Sequence, residues 1–320
     1  MVNFWRFFKF LVVLCCLAWS MTAEAAPQPE LQKEKINAII LGDRLATVAY
    51  HLGVVPEAMV TRCVWPAATK GELRHIKKLG CPKRVTLRDK KRVAEFAEQK
   101  GIKRILIENT QDFCRSTPDA NPMNIIPLLE GRDLKLEIVD FNNGIESAVR
   151  AAGKLLNREE EAEAVLTTYT SSLARAKKSL PKGRLEKRVL LLNGIMVGKT
   201  GKSFIQVEVA DGYSDHFFLD PMGCHNVGNL LVTEGEKISK GYFTLKNIAD
   251  IAKANPDIII VTGQSFPVEK ALAKAVKKNP ALSQIVALKN HEIYNLPVYV
   301  DGSVLDYPYL LTLWTKALYR

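Results

Sequence analysis

The residues best suited to hold a ligand are cations, rings and a few polar groups placed just after segments that read as buried strands. Arg44, Arg62 and Lys199 could grip an anionic chelate or an oxyanion. Arginine suits this task because its planar fork pairs two acceptor oxygens and stays charged. The competing reading is an ordinary surface or lobe-bridging cation. Trp65, Phe217, Phe218 and Tyr242 could stack on a catecholate, porphyrin or corrin surface, with core packing as the alternative, more so for Phe217 and Phe218. His216 could ligate iron, and Asp43, Glu108 and His216 together offer oxygen and nitrogen ligands for a bare cation, although nothing in their spacing requires it. Gly42, Asn109, Thr200, Gln264 and Tyr299 complete the set of loop residues that could face a ligand, while His225 reads as structural.

These residues need strands to carry them. Ile36 to Leu41 reads as a first buried strand, with Gly42-Asp43-Arg44 as its loop and Leu45 to Leu52 as the helix that follows. Ala58 to Arg62, Arg104 to Ile107 and Leu136 to Val139 read as further strands. The alternation of strand and helix predicts a mostly parallel sheet, whose ligand loops lie at the carboxyl ends of the strands. A long helical stretch, Ile145 to Leu180, follows, and Asn157 with Glu160 resembles an N-cap that would divide it. Arg188 to Leu192 opens a second set of elements, followed by a Gly-rich loop from Asn193 to Tyr213, and Glu292 to Asn295 reads as a last short strand. An apolar, aromatic helix, Val304 to Tyr319, closes the chain.

The segment from Phe243 to Gly263 reads as helix, Asn-Pro-Asp turn and buried strand. Pro256 stops the helix, and Ile258 to Val261 is a continuous β-branched run. Val85 to Glu108 echoes this layout about half a chain earlier, too far for a solenoid repeat. The echo predicts two similar α/β lobes with a ligand site where they meet. The fold class is therefore α/β, two Rossmann-like lobes with mostly parallel sheets joined by a long bridging helix. The expected divisions are a signal peptide over 1–25, an N-terminal lobe over 26–144, a bridging helical segment over 145–183 and a C-terminal lobe over 184–320.

The signal is read from Arg6 and Lys9, the apolar run Phe10 to Trp19, which is short for a membrane span, and the small-x-small triplet Ala23-Glu24-Ala25. Cleavage would leave Ala26 first and place the product in the periplasm, with an uncleaved anchor as the alternative. Lipid attachment at Cys15 or Cys16 is disfavoured, since both lie within the apolar run. Of the remaining cysteines, Cys63, Cys81, Cys114 and Cys224, the most local pairing is Cys63 with Cys81, and no zinc spacing is present. The formal charge of +11 favours anionic partners, though the cations are scattered over helix faces. No nucleic-acid motif is present, no cofactor is expected, and the protein is expected to be monomeric. The absence of Gly-x-Ser-x-Gly, His-Glu-x-x-His and Cys-x-x-Cys motifs argues against an enzyme.

From about Lys35 to Tyr319 the chain resembles the periplasmic substrate-binding proteins of ABC importers for metal chelates. Leu52-Gly53 resembles the family's turn after the first helix, and Glu159 to Leu180, with Glu161-Ala162-Glu163 and Tyr169, resembles its bridging helix. Gly201-Lys-Ser-Phe204 and Pro221-Met-Gly-Cys-His-Asn-Val227 are similar to its Gly-x-Ser-Phe and Gly-Gly-x-Asn-Val elements. Leu245 to Val261, and Tyr307-Pro308 through Trp314 to Tyr319, match its closing segments. The resemblance implies an interlobe cleft that takes a ferric siderophore or haem, or else cobalamin, molybdate or tungstate, and little motion on binding. It also implies delivery to ABC permease subunits, on which a glutamate of each lobe docks. Here those positions hold Arg88 and Lys246, both basic. The partner surface would then be acidic, or Asp89, Asp250 or another acid would dock instead, or docking has been lost. A carrier or chelatase-like enzyme uncoupled from a permease remains the alternative.

Overall fold

The structure, a computed structural model, describes residues 33–62, 73–111, 120–198 and 200–319. The expected signal peptide, Trp65, Cys63, Cys114 and Lys199 lie outside the described residues. Two sheets organise the rest.

The first sheet is parallel, with strands β1 (Glu34–Leu41), β2 (Val54–Val60), β3 (Lys77–Gly80), β4 (Arg104–Asn109) and β5 (Lys135–Asp140) in the order β3-β2-β1-β4-β5. The chain winds outward from β1 to β3, then jumps back to place β4 on the other side. That reversal creates a crevice at the carboxyl ends of β1 and β4. Alternate residues of β1 serve opposite cores. Ala38 and Ile40 pack with helix α1 (Asp43–His51) on one face, and Ile39 and Leu41 pack with the opposite-face helices α2 (Pro82–Leu87) and α3 (Arg92–Lys100). Both faces are dry over Ala38 to Leu41, which is why that stretch reads as an unbroken apolar run.

The second sheet runs β11-β10-β6-β7-β9, from β6 (Arg188–Met196), β7 (Ser203–Glu208), β9 (Tyr242–Thr244), β10 (Ile258–Gly263) and β11 (Ile293–Asn295), with β8 (His225–Asn226) beside the start of β6. Read from the β9 edge, it repeats the order of the first sheet, with β6 in the place of β1 and β10 in the place of β4. The sequence echo corresponds to this equivalence. The second sheet departs from the expected parallel pattern, because β7 pairs antiparallel with both β6 and β9. The expected Gly-rich loop is largely a hairpin, closed by the Val197 N–H to Lys202 carbonyl bond. The expected helix after Phe243 shrinks to two single turns, Ile248–Asp250 and Ile251–Ala254.

The helical stretch divides as expected near Asn157, but not by an N-cap there. Asn157 is the left-handed C-cap of α4 (Ile145–Leu156), at φ 54°, and the next helix, α5 (Glu159–Lys178), starts after Arg158. A short polar side chain tolerates that backbone conformation. The α5 helix is the bridge: Ala162 and Leu166 belong to the first lobe's core, and Ala176 to the second's. Beyond β11, residues 296–306 lead into the last helix, α7 (Tyr307–Leu318), which follows α6 (Ser265–Lys278) in the chain and packs against α5. Trp314 of α7 is fully buried, stacks on Phe218 at 4.3 Å between ring centroids, and donates its indole N–H to the Pro297 carbonyl at 2.9 Å. Phe218 is thus a core residue, as the packing alternative held. Cys81 and Cys224 are free thiols, and the expected Cys63–Cys81 pairing falls on Cys63, outside the described residues. Among the described residues no helix is long and apolar enough to cross a membrane.

Replacing Trp314 with Ala should cost about 3–5 kcal/mol, read as a lowered urea midpoint. A cost under about 1 kcal/mol would show that this contact does not hold the second lobe's core.

Candidate ligand cleft

Glu108 ends β4 and Gly42 follows β1, so the two meet in the crevice between those strands. The Glu108 carboxylate accepts the backbone N–H groups of Arg44 at 2.8 Å and Leu45 at 3.2 Å, the first free donors of α1. A doubly wound sheet commonly offers these donors to a bound anion; here the protein fills the place with its own carboxylate. Gly42 makes room for it. Its φ is 122°, and a Cβ there would lie 2.3 Å from the Glu108 side chain, so only glycine fits.

The Arg44 guanidinium donates Nη1 to Glu108 at 2.9 Å and Nη2 to Asp301 at 2.5 Å. Arg62, past the end of β2, donates Nε to Asp43 at 2.5 Å and Nη2 to the other oxygen of Asp301. Tyr213, after β7, donates its hydroxyl to Asp301 at 2.9 Å. Asp301 belongs to the segment between β11 and α7, so one buried carboxylate joins the first lobe's loops to the second lobe. Asp43, Glu108 and Asp301 are fully buried, Arg44 is 8% exposed, and the Arg62 side chain keeps 19% exposure.

Burial and the neighbouring carboxylates set the protonation states here. Burial pushes the Glu108 carboxyl up to about 7; Arg44 pulls it down, but Asp43 and Asp301 raise it further. Burial also raises Asp43, against the pull of Arg62. For Arg44 and Arg62, burial alone would favour loss of charge, yet the carboxylates outweigh it and both pKa values rise. The arginines stay cationic, and burial favours the protonated form of both Glu108 and Asp43.

An aromatic group adjoins these charges. Phe217 stacks on Tyr299 with centroids 3.6 Å apart, lies 6.0 Å from Tyr213 in a stacked arrangement and meets Tyr307 edge-on at 5.4 Å. Tyr299 is buried, whereas Phe217 and Tyr213 are half-buried and keep some surface. His216 is exposed and touches Phe217 edge-on at 4.8 Å.

Of the sequence-predicted residues, Arg44, Arg62 and Glu108 therefore come together, with Phe217 beside them and His216 at their margin. Tyr242 and Gln264 do other work. The Tyr242 hydroxyl donates to buried Glu208 at 3.1 Å, and that carboxylate also accepts the Ser214 hydroxyl at 2.8 Å. The Gln264 amide oxygen accepts the Met196 N–H at 2.5 Å, trimming the end of β6. Gly194 lets Gln264 approach, since a Cβ there would lie 1.9 Å from the Gln264 carbonyl oxygen. The three-residue cation site does not form: Asp43 and Glu108 are held by arginines, His216 contacts Phe217, and no group of three metal-ligating side chains occurs among the described residues. Arg88 and Lys246 are exposed, and Lys246 pairs with Glu236 at 3.1 Å. Sequence reasoning missed Asp301 and Tyr213. The one local signal was Asp301 itself, an acid between an apolar run and a helix.

Two α/β lobes bridged by a long helix, with ion pairs and rings at their junction, make up the described chain. Residues 134–300 match the family described as periplasmic binding protein. This chain belongs to the periplasmic binding protein family. Three solved structures share its fold. The periplasmic heme binding protein HutB of Vibrio cholerae is 14% identical, with a TM-score of 0.54 over 89% of this chain and 100% of that one. The periplasmic heme-binding protein RhuT from Roseiflexus sp. RS-1, in apo form, is 15% identical, with a TM-score of 0.53 over 90% of this chain and 98% of that one. An ABC transporter substrate-binding protein from Listeria monocytogenes EGD-e is 19% identical, with a TM-score of 0.50 over 90% of this chain and 99% of that one. No curated protein matches the sequence.

Because the folded pKa of Glu108 lies above its ordinary value of 4.5, the folded state binds the extra proton. Its contribution to stability is present below pH 4.5 and is lost as pH rises through about 7. Glu108→Gln should remove a slope of up to about 1.4 kcal/mol per pH unit, so the variant gains on the wild type as pH rises across this window. Urea titrations at several pH values measure this, and parallel profiles would contradict it.

Proposed function

We propose that this protein captures an iron chelate, a siderophore or haem, in the cleft between its lobes and hands it to an ABC permease after export to the periplasm. The single observation that carries the reading is the half-buried Phe217 ring. It is backed by Tyr299 and set against the buried charges that join the lobes, so a flat or bulky chelate would meet a rigid stacking surface there. Membership of the periplasmic binding protein family supports a role in capture, and the similarity to the heme-binding proteins HutB and RhuT suggests an iron-containing cargo. Trp65 and Lys199 join Phe217 and His216 as ligand contacts in this reading. Arg44, Arg62 and Glu108 build the floor. Tyr242 and Gln264 serve as supports for the loops they hydrogen-bond.

Cobalamin, molybdate and tungstate are the other cargo classes within the same reading. Uncoupled carriage is favoured by one observation: Arg88 and Lys246 present exposed basic groups where family docking uses glutamates. An acidic permease surface would reconcile them with transport.

A thermal-shift panel on residues 26–320 with ferric siderophores, haem, cobalamin, molybdate, tungstate and divalent metals tests capture. A ligand at 100 times its dissociation constant stabilises by about 2.7 kcal/mol, and a single class should do so. No shift across the panel would reject chelate capture. Charge reversal by Arg88→Glu with Lys246→Glu should leave ligand affinity within about twofold of wild type, because both side chains are solvated, but should cut uptake in cells. Unchanged uptake would mean that these residues do not touch a permease.

A further inference from the structure

Arg44 and Arg62 are the cleft cations that an anionic arm of a chelate would seek, and both are already engaged. Asp301 accepts from Arg44, from Arg62 and from the Tyr213 hydroxyl; Asp43 and Glu108 take further donors of the two guanidinium groups. Three carboxylates thus face two guanidinium groups in a buried site. The carboxyl groups outnumber the guanidinium groups, and every guanidinium donor named here already has a carboxylate partner. An anion entering here gains no unshared positive charge and meets carboxylates at low effective dielectric, where like charges repel strongly.

Asp301 is not placed to swing aside. Its neighbours Gly302 and Ser303 are buried, the Ser303 N–H bonds the Val300 carbonyl at 2.7 Å, and Tyr299, two residues earlier, is clamped against Phe217. Moving the carboxylate out would unpack that ring and strand two buried guanidinium charges, each costly without a partner.

We propose that Asp301 determines specificity. It is a built-in counter-ion that satisfies Arg44 and Arg62, so the cleft takes neutral or cationic chelates against the Phe217 ring and rejects polyanionic chelates and oxyanions. This deepens the proposed function and rests on it for the cleft's role in capture.

The test is equilibrium binding to residues 26–320, followed by intrinsic fluorescence and calorimetry, with three probes. These are ferrioxamine B, a cationic ferric trihydroxamate; ferric enterobactin, a trianionic ferric tricatecholate; and molybdate. The wild type should bind the trihydroxamate at least about tenfold tighter than the tricatecholate and show no molybdate binding. Asp301→Asn keeps the side-chain shape but releases positive charge, so it should narrow that ratio by about tenfold or more and acquire molybdate. The wild-type comparison stands even where the variant does not fold: tighter binding of the tricatecholate overturns the proposal. A folded variant with an unchanged ratio and no molybdate binding also overturns it, and leaves chelate capture standing. If neither chelate binds the wild type yet the variant acquires molybdate, the masking role of Asp301 is supported and chelate capture fails.

Discussion

The shared carboxylate of Asp301 is the interaction on which the rest of the structure depends. It comes from the chain after the last strand of the second sheet and is held by two arginines from the first lobe's loops and a tyrosine from the second. Burying so many charges is expensive, and removing one partner of such a set typically costs about 3–5 kcal/mol because the others are left uncompensated. That penalty makes the junction all-or-none. The lobes are joined by this charge set, by α5 packing into both cores, and by α7 lying on α5. Three separate ties hold the lobes together, and in the proposed reading they would favour recognition by a cleft that already has its shape.

The doubly wound order explains why the charges collect where they do. Both sheets reverse direction beside their central strand, β1 in one and β6 in the other, and the first sheet's reversal leaves the N-terminus of α1 facing an open crevice. Helix donors there need an acceptor. Glu108 provides it from the neighbouring strand, Arg44 follows because it sits at the same helix start, and Asp301 takes the Nη2 donors of Arg44 and Arg62 that Glu108 and Asp43 leave over. The aromatic group joins Asp301 through the Tyr213 hydroxyl, and Phe217 stacks against buried Tyr299 while keeping partial exposure.

Much of this was readable from the sequence. The buried strand Ile36–Leu41 and the β-branched run Ile258–Val261 mark the central strands because both faces of each are covered. The half-chain echo marks the two sheets because β4 and β10 occupy equivalent places beside β1 and β6. Arg44, Arg62 and Glu108 were legible as cleft residues because each follows a strand end. What was not legible depended on long-range pairing. Lys77–Gly80 has too little apolar alternation to announce an edge strand. The β7 hairpin hides among glycines that also suit a loop. Asp301 meets Arg44 and Arg62 across 257 and 239 positions of sequence, and no local pattern reports such a contact. Tyr242 and Gln264 looked available because their strand ends point toward ligand loops, yet each has a nearby backbone or carboxylate partner that claims its polar atoms.

A binding function also changes how the basic surface is read. The cations inside the cleft are neutralised, so the net positive charge of the chain is expressed outside it, on helix faces and at exposed positions such as Arg88 and Lys246. In the proposed reading, charge would act on a docking partner, and shape and stacking on the cargo. The most direct test of this division is hydrogen exchange by mass spectrometry on the intact mature chain, with and without ferrioxamine B. The account expects slowed exchange in residues 42–45, 213–217 and 297–303, where both lobes and the connecting segment meet. Protection confined to other surfaces, such as the groove between residues 203–205, 244–248 and α6, with none in those three segments, would contradict it.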